Sequence, residues 1–104
     1  MAYKLIYGKK SRSELDEAIT WYKDISNQTA TKFYSAAQSR LNEISDQPHR
    51  FGPIRNRRRY RRAKIKRFPY LIVFRIDEAK QKVHIISIWH EKRNPSDLMK
   101  RLRK

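Results

Sequence analysis

The chain has 104 residues, 38% of them hydrophobic, enough for one modest core but not two, so a single domain spanning 1–104 is expected. Lysine and arginine total 26 against 10 aspartate and glutamate, a formal charge of +16, which implies a polyanionic partner. Cysteine is absent, which excludes a disulfide framework, thiol catalysis and cysteine-based zinc sites.

Tyr3 to Tyr7 is short, aromatic and β-branched, stops at Gly8 and reads as a first strand. The opening MAYKLIYGKK soon meets charge and no run approaches ~18 apolar residues, so neither a signal peptide nor a membrane span is expected, and the expected location is cytoplasmic. Ser11-Arg12-Ser13-Glu14 has capping-box spacing and predicts a helix beginning there. Leu15, Ala18, Ile19, Tyr22 and Ile25 then recur at three- and four-residue steps, with Asp16, Lys23 and Asp24 off that face, and predict an amphipathic helix to about Ser26. Trp21 is read as core or hairpin packing. A polar break at Asn27-Gln28-Thr29 precedes a second helix on Ala30, Phe33, Ala37, Leu41 and Ile44, which Pro48 ends, and the two form an antiparallel hairpin.

Beyond Pro48 the period becomes extended. A basic run containing only Ala63 and Ile65 as aliphatic residues reads as the second strand. Tyr70 to Ile76 and Val83 to Trp89 pair as a β-hairpin around the turn Asp77-Glu78-Ala79-Lys80. A polar, basic tail from Asn94 can form a final helical turn. The resulting class is α+β, in the order β-α-α-β-β-β, with the N-terminal strand and helix hairpin packed on one face of a small antiparallel sheet and the other face left open.

Charge is concentrated on that sheet. Residues 1–47 carry seven basic and six acidic side chains, 48–76 eleven basic and none acidic, and 77–104 eight basic and four acidic. Nine of the thirteen residues from 55 to 67 are cationic: Arg55, Arg57, Arg58, Arg59, Arg61, Arg62, Lys64, Lys66 and Arg67. Tyr60, Phe68 and Tyr70 interleave them, a pattern that suits RNA, with bases stacked on aromatics and phosphates held by guanidinium groups, and equally suits an acidic protein. The bland alternative is a solvated basic face. Tyr70, heading an apolar strand, is read as core, and His49 and His84 as incidental.

The fourth strand ends in Ile88-Trp89-His90-Glu91-Lys92-Arg93-Asn94-Pro95. Together with Glu17-Ala18 and Trp21-Tyr22 on the first helix, and Phe68-Pro69-Tyr70 with Ile72 and Phe74, the frame His90-x-x-Arg93-x-Pro95 resembles the RelE/ParE toxin superfamily, closest to its ParE-like, "plasmid stabilisation" branch. The resemblance covers nearly the whole chain and implies a toxin of a type II toxin–antitoxin pair, neutralised by a co-expressed antitoxin.

Two mechanisms follow from the resemblance. ParE-like members inhibit DNA gyrase by binding and trapping it. On that reading the basic residues Arg55, Arg57, Arg58, Arg59, Tyr60, Arg61 and Lys66, with the tail Lys100-Arg101-Leu102-Arg103-Lys104, contact gyrase or its DNA. RelE-like members cut messenger RNA on the ribosome, chemistry that needs a base for the ribose 2′-hydroxyl, donors for the phosphorane and an acid for the leaving oxygen. Arg62, Lys64, Arg67 and Arg93 can supply donors and His90 the acid or base, its alternative being to brace the turn that carries Arg93. RelE-like nucleases commonly place a tyrosine near the C-terminus or a glutamate in the basic sheet region, and here no tyrosine follows Tyr70 and no acid lies in 48–76. A third reading, a non-toxic nucleic-acid-binding module, leaves the motif frame unexplained. The antitoxin is expected to lay an acidic segment over the basic sheet face or the hairpin. No metal, cofactor or small-molecule ligand is expected.

Overall fold

A computed structural model describes residues 2–102; Arg103 and Lys104, the end of the basic tail, lie outside the described residues. β1 (Lys4–Tyr7) leads through Gly8 into α1 (Lys9–Ile25) and α2 (Asn27–Asp46). A 3-10 turn (Pro48–Arg50) is followed by β2 (Pro53–Ile54), β3 (Arg57–Lys64), β4 (Tyr70–Asp77), β5 (Lys82–His90) and α3 (Pro95–Arg101). The class is α+β, as the periodicities predict, and one sheet runs in the order β1-β5-β4-β3-β2. No helix among the described residues is long and apolar enough to cross a membrane.

The local chemistry departs from the expectation at the helix ends. α1 starts at Lys9 with Gly8 as its N-cap, so Ser11 is not a cap: it is fully buried and its Oγ donates to the Gly8 carbonyl at 3.0 Å. The polar triplet after α1 is not a break either. Ser26 alone turns the corner, its Oγ accepting from the Thr29 amide at 3.0 Å, and a serine in that role lets Asn27-Gln28-Thr29 form the first turn of α2.

Three features of the sheet also differ from the expected plan. It is mixed, because β1 lies parallel beside β5, with Lys4 opposite Lys82 and Tyr7 opposite Ile85; the helices and the remaining strands supply the long connection that a parallel pair requires. A fifth, two-residue strand, β2, borders β3. The face away from the helix hairpin is not open. There α3 lays Leu98 and Leu102 against Ile54, Tyr60, Val73 and Trp89, forming a second core.

The main core lies between hairpin and sheet. Ala18, Phe33, Ala37, Leu41 and Ile44 meet Ala63, Ile65, Ile72, Phe74 and Val83, as the helical spacing predicts. Phe33 is fully buried, with Tyr22, Phe68 and Tyr70 packed around it at ring-centroid distances of 4.9, 5.1 and 5.4 Å. Two apolar residues of α1 do not join this core: Trp21 and Ile25 are each 62% exposed. With Tyr22 in the core position, its neighbour Trp21 is rotated by ~100° around the helix and off that face. Ile25 sits beside the Ser26 corner.

A last element shapes the β3–β4 connection. Phe68 N–H donates to the Ile65 carbonyl, and Arg67, at φ 71°, occupies the corner that glycine normally takes in a type II turn. That backbone costs a non-glycine residue ~1 kcal/mol.

The two kinds of helix position should separate in a stability measurement. Phe33→Ala is expected to lower the unfolding free energy by about 3–5 kcal/mol in urea melts, and Ile25→Ala by no more than ~0.5 kcal/mol. Equal losses would mean that Ile25 is part of the core.

Candidate functional site

Beyond Ile85 no strand continues beside β5 on the β1 edge among the described residues, because β1 ends opposite that residue. β5 also carries an extra residue there: Phe74 pairs with Ile85 and Val73 with Ser87, leaving Ile86 in a bulge. The backbone groups at this interruption are met by side chains. Glu14 Oε1 accepts from Ser87 Oγ at 2.9 Å and from the Ile88 amide at 3.1 Å. Arg101 of α3 donates through Nη1 to Glu14 Oε2 at 2.8 Å, and through Nη2 to the Ile86 carbonyl at 2.7 Å. Arg93 Nη1 reaches Glu14 Oε2 at 3.1 Å while its guanidinium lies 3.8 Å from the Trp89 ring centre.

Glu14 is thus a hub joining α1, β5 and α3, with its side chain only 14% exposed and that of Arg101 16%. Burial pushes its carboxyl pKa up. The hydrogen bonds from Arg101 and Ser87, the Arg101 charge and the Ile88 amide more than offset this and hold it below the ordinary carboxylate range.

Above the hub lies a cleft of about 260 Å³ lined by Glu14, Glu17, Ala18 and Trp21 of α1, Tyr70 of β4, Ile88 and His90 of β5, and Arg93. Half of the residues of the motif frame, Glu17, Ala18, Trp21, Tyr70, His90 and Arg93, meet here across up to 76 positions. His90 Nδ1 accepts from the Lys92 amide at 3.0 Å, and its ring stands edge-on to Tyr70 at 4.9 Å. This bond is the one a turn-bracing histidine would make, and it leaves Nε2 as the ring nitrogen without it. Burial and the nearby Glu17 charge raise the Tyr70 pKa, so its hydroxyl remains a donor at neutral pH. Tyr70 also packs on the main core, as read from the sequence.

The other predicted residues are distributed elsewhere. Arg62 and Lys64 lie on the opposite sheet face, in a cleft of about 570 Å³ beside α3 that Arg93 also lines, over a floor including Leu71, Val73 and Trp89. Lys64 Nζ there is 3.4 Å from Glu91 Oε2. Arg67 faces α2 in a third cleft, and neither it nor His90 lines the α3 cleft. In the binding set, Arg55, Arg58, Arg59 and Lys66 are exposed. Arg61 Nη1 is committed to the Phe51 carbonyl at 2.6 Å and Arg57 Nη1 to that of Asn56 at 2.7 Å. The Tyr60 ring, 8% exposed, belongs to the second core and offers no stacking face. Among the described residues no group of three or more His, Cys, Asp or Glu side chains could hold a metal.

Sequence reasoning missed Glu14 as a hub, because S-x-x-E spacing is equally a local capping motif. It also missed the exposure of Trp21 and the inward turn of Arg101.

Residues 5–95 match the family model of the ParE toxin of the type II toxin–antitoxin system, parDE. The chain belongs to the ParE toxin family. It is therefore a toxin of a type II toxin–antitoxin system. No curated protein sequence matches it significantly. Its fold is similar to the chromosomal ParDE toxin–antitoxin system of P. aeruginosa, with TM-score 0.72 and 16% identity, covering 86% of this chain and 96% of that one. It is also similar to the RelBE2 toxin–antitoxin complex of Mycobacterium tuberculosis, with TM-score 0.62, 20% identity and coverages of 86% and 99%. A mutant of the E. coli toxin RelE in the free state gives TM-score 0.64, 18% identity and coverages of 99% and 96%.

Replacing the hub of this ParE-family toxin has a definite signature. Glu14→Gln is expected to lower stability by about 2 kcal/mol at neutral pH, as for hydrogen bonds to a charged group. Because the folded pKa is lowered, the parent holds this contribution above the ordinary carboxylate range and loses it as pH falls towards the folded value. Urea melts across the acid range should show the parent declining faster and converging on the variant; a constant gap would show that the charge of Glu14 contributes nothing.

Proposed function

We propose that this toxin arrests growth by holding a macromolecular target, with DNA gyrase as the lead, rather than by cutting RNA. The observation that carries the reading is the separation of His90, the expected acid or base, from the expected donors Arg62, Lys64 and Arg67. Base, donors and acid must surround one phosphate, each within about 3 Å of the atom it serves. Here His90 lies with Trp21 in one cleft, Arg62 and Lys64 in another, and Arg67 in a third. The Trp21 cleft instead has the composition of a protein-binding site: an exposed indole, a tyrosine hydroxyl and a guanidinium already oriented by Glu14 and Trp89. The family resemblance supplies gyrase as the target. A cognate antitoxin with an acidic segment, drawn in by the +16 charge, would neutralise the toxin in the cytoplasm.

One observation favours a second reading, a ribosome-dependent messenger-RNA endoribonuclease. Glu91 brings a carboxylate beside Lys64 in the cleft that Arg62 and Arg93 also line, which puts a base and three donors near one another.

Inducing the chain with and without its adjacent open reading frame, while mapping message ends and assaying purified gyrase, separates the two. Expected are growth arrest relieved by the adjacent product, intact messages and blocked supercoiling. Trp21→Ala should weaken gyrase inhibition roughly 30-fold, about 2 kcal/mol for a hot-spot aromatic, with an unchanged melting temperature. Cuts within translated codons, lost in Glu91→Gln, would replace this reading with the nuclease.

A further inference from the structure

One cleft of the described residues lies remote from the Trp21 cleft. It holds about 580 Å³ between α2 and the corner joining β3 to β4. Thr31, Ser35 and Ser39 line one wall at four-residue spacing, on one helix face at ~6 Å intervals along the axis; Thr31 Oγ1 donates to the Asn27 carbonyl at 3.0 Å, so Ser35 and Ser39 supply the donor hydroxyls. Lys32 stands beside them, and Lys66 and Arg67 face them from the corner, all three cations exposed to solvent. The walls are fixed relative to each other: Arg40 of α2 donates from Nε to the Lys64 carbonyl at 2.7 Å and from Nη1 to Glu43 at 3.0 Å. Glu43, the one acid of the lining, is thereby paired. Arg67 takes a backbone conformation suited to glycine, yet is a cation lining the cleft.

We propose that this cleft binds the phosphodiester backbone of a nucleic acid. Cations interleaved with serine hydroxyls are the donor set that contacts phosphates without reading bases. An acidic peptide is the weaker candidate here, because a peptide draws its affinity from buried aromatic or aliphatic anchors. The exposed aromatic of this protein that lines a cleft, Trp21, lies in the other one, and Phe68 at the base of this cleft is packed into the main core. The assignment stands independently of gyrase being the target.

The test uses the purified full-length chain and two fluorescent probes, a mixed-sequence DNA duplex about two turns long and a single-stranded RNA of equal length, titrated at several salt concentrations. Lys32→Gln/Lys66→Gln should bind at least roughly tenfold more weakly than the parent, with the log–log salt slope on the duplex reduced by ~1.8, or ~0.9 for each lost phosphate contact. The charge-matched control Lys9→Gln/Lys10→Gln should change binding far less. Ser35→Ala/Ser39→Ala leaves net charge unaltered and should weaken binding a few-fold at constant slope. Arg67→Gly should lose affinity while melting no lower than the parent, which separates binding from folding. Whichever polymer shows this pattern supplies the backbone. Equal losses in the two lysine pairs would reduce the effect to diffuse attraction by a +16 chain and overturn the proposal. So would poly-glutamate binding more tightly than either nucleic acid with the same variant pattern, which would assign the cleft to an acidic protein.

Discussion

A single carboxylate determines how three elements meet at the end of β5. Where β1 stops, the Ile88 amide and Ile86 carbonyl face no strand, and backbone groups in that state must find other partners or lose several kcal/mol each. Glu14 and Arg101 satisfy them together. Neither could do so alone, since an unpaired charge in this position would be strongly destabilising. The consequence reaches α3, whose seven residues are far too few to be helical in isolation. The helix stays because Leu98 and Leu102 pack on the second core and Arg101 is tied to Glu14. Arg93 depends on the same carboxylate, so one side chain of α1 sets the geometry of a cleft formed largely by residues distant in sequence.

The parts of the fold legible in the sequence are those with a clean period. Phe33, Ala37, Leu41 and Ile44 could be assigned to one face because the four positions recur at helical spacing and all four are buried. The parallel placement of β1 was not legible, since Tyr3 to Tyr7 has the same alternation whichever way its neighbour runs. The second core had a signal that an open-faced sheet did not accommodate. Tyr70 to Ile76 and Val83 to Trp89 are almost continuously apolar, the pattern of strands covered on both faces, and Val73 and Trp89 indeed face α3. Ile86 has no such signal, and a bulge reverses which positions face the helices: Val83 and Ile85 before it, Ile88 after it.

For the site, the motif frame proved a better guide than charge density. Trp21, Tyr70, His90 and Arg93 come from three elements and a turn and share one cleft. The basic run does the reverse. A strand sends successive side chains to opposite faces, so Tyr60, Arg62 and Lys64 go to the α3 side while Ala63 and Ile65 enter the main core. Arg61 satisfies a backbone carbonyl, and Lys66 and Arg67 leave the strand at a turn towards α2. Nine cations adjacent in sequence therefore serve several surfaces.

That division bears on what a partner must look like. The Trp21 cleft presents aromatic and hydrogen-bonding groups beside Glu17, and the α3 cleft an apolar floor with Arg62, Lys64 and Glu91 at its margin. Both offer the buried anchors that give protein partners their affinity. The α2 cleft sets the Ser35 and Ser39 hydroxyls and the cations Lys32, Lys66 and Arg67 around Ala36 and Phe68, with donors matched to phosphates. Diffuse attraction between a +16 chain and any polyanion increases the rate of encounter but cannot choose among these surfaces, because long-range fields are screened within about 10 Å at ordinary salt. Selection must come from the short-range chemistry of each cleft. A target made of protein with nucleic acid bound to it can engage two such surfaces at once, and tethering then makes the second contact effectively intramolecular. Affinity for the assembled target could thus exceed that for either component, with no single deep pocket in the toxin.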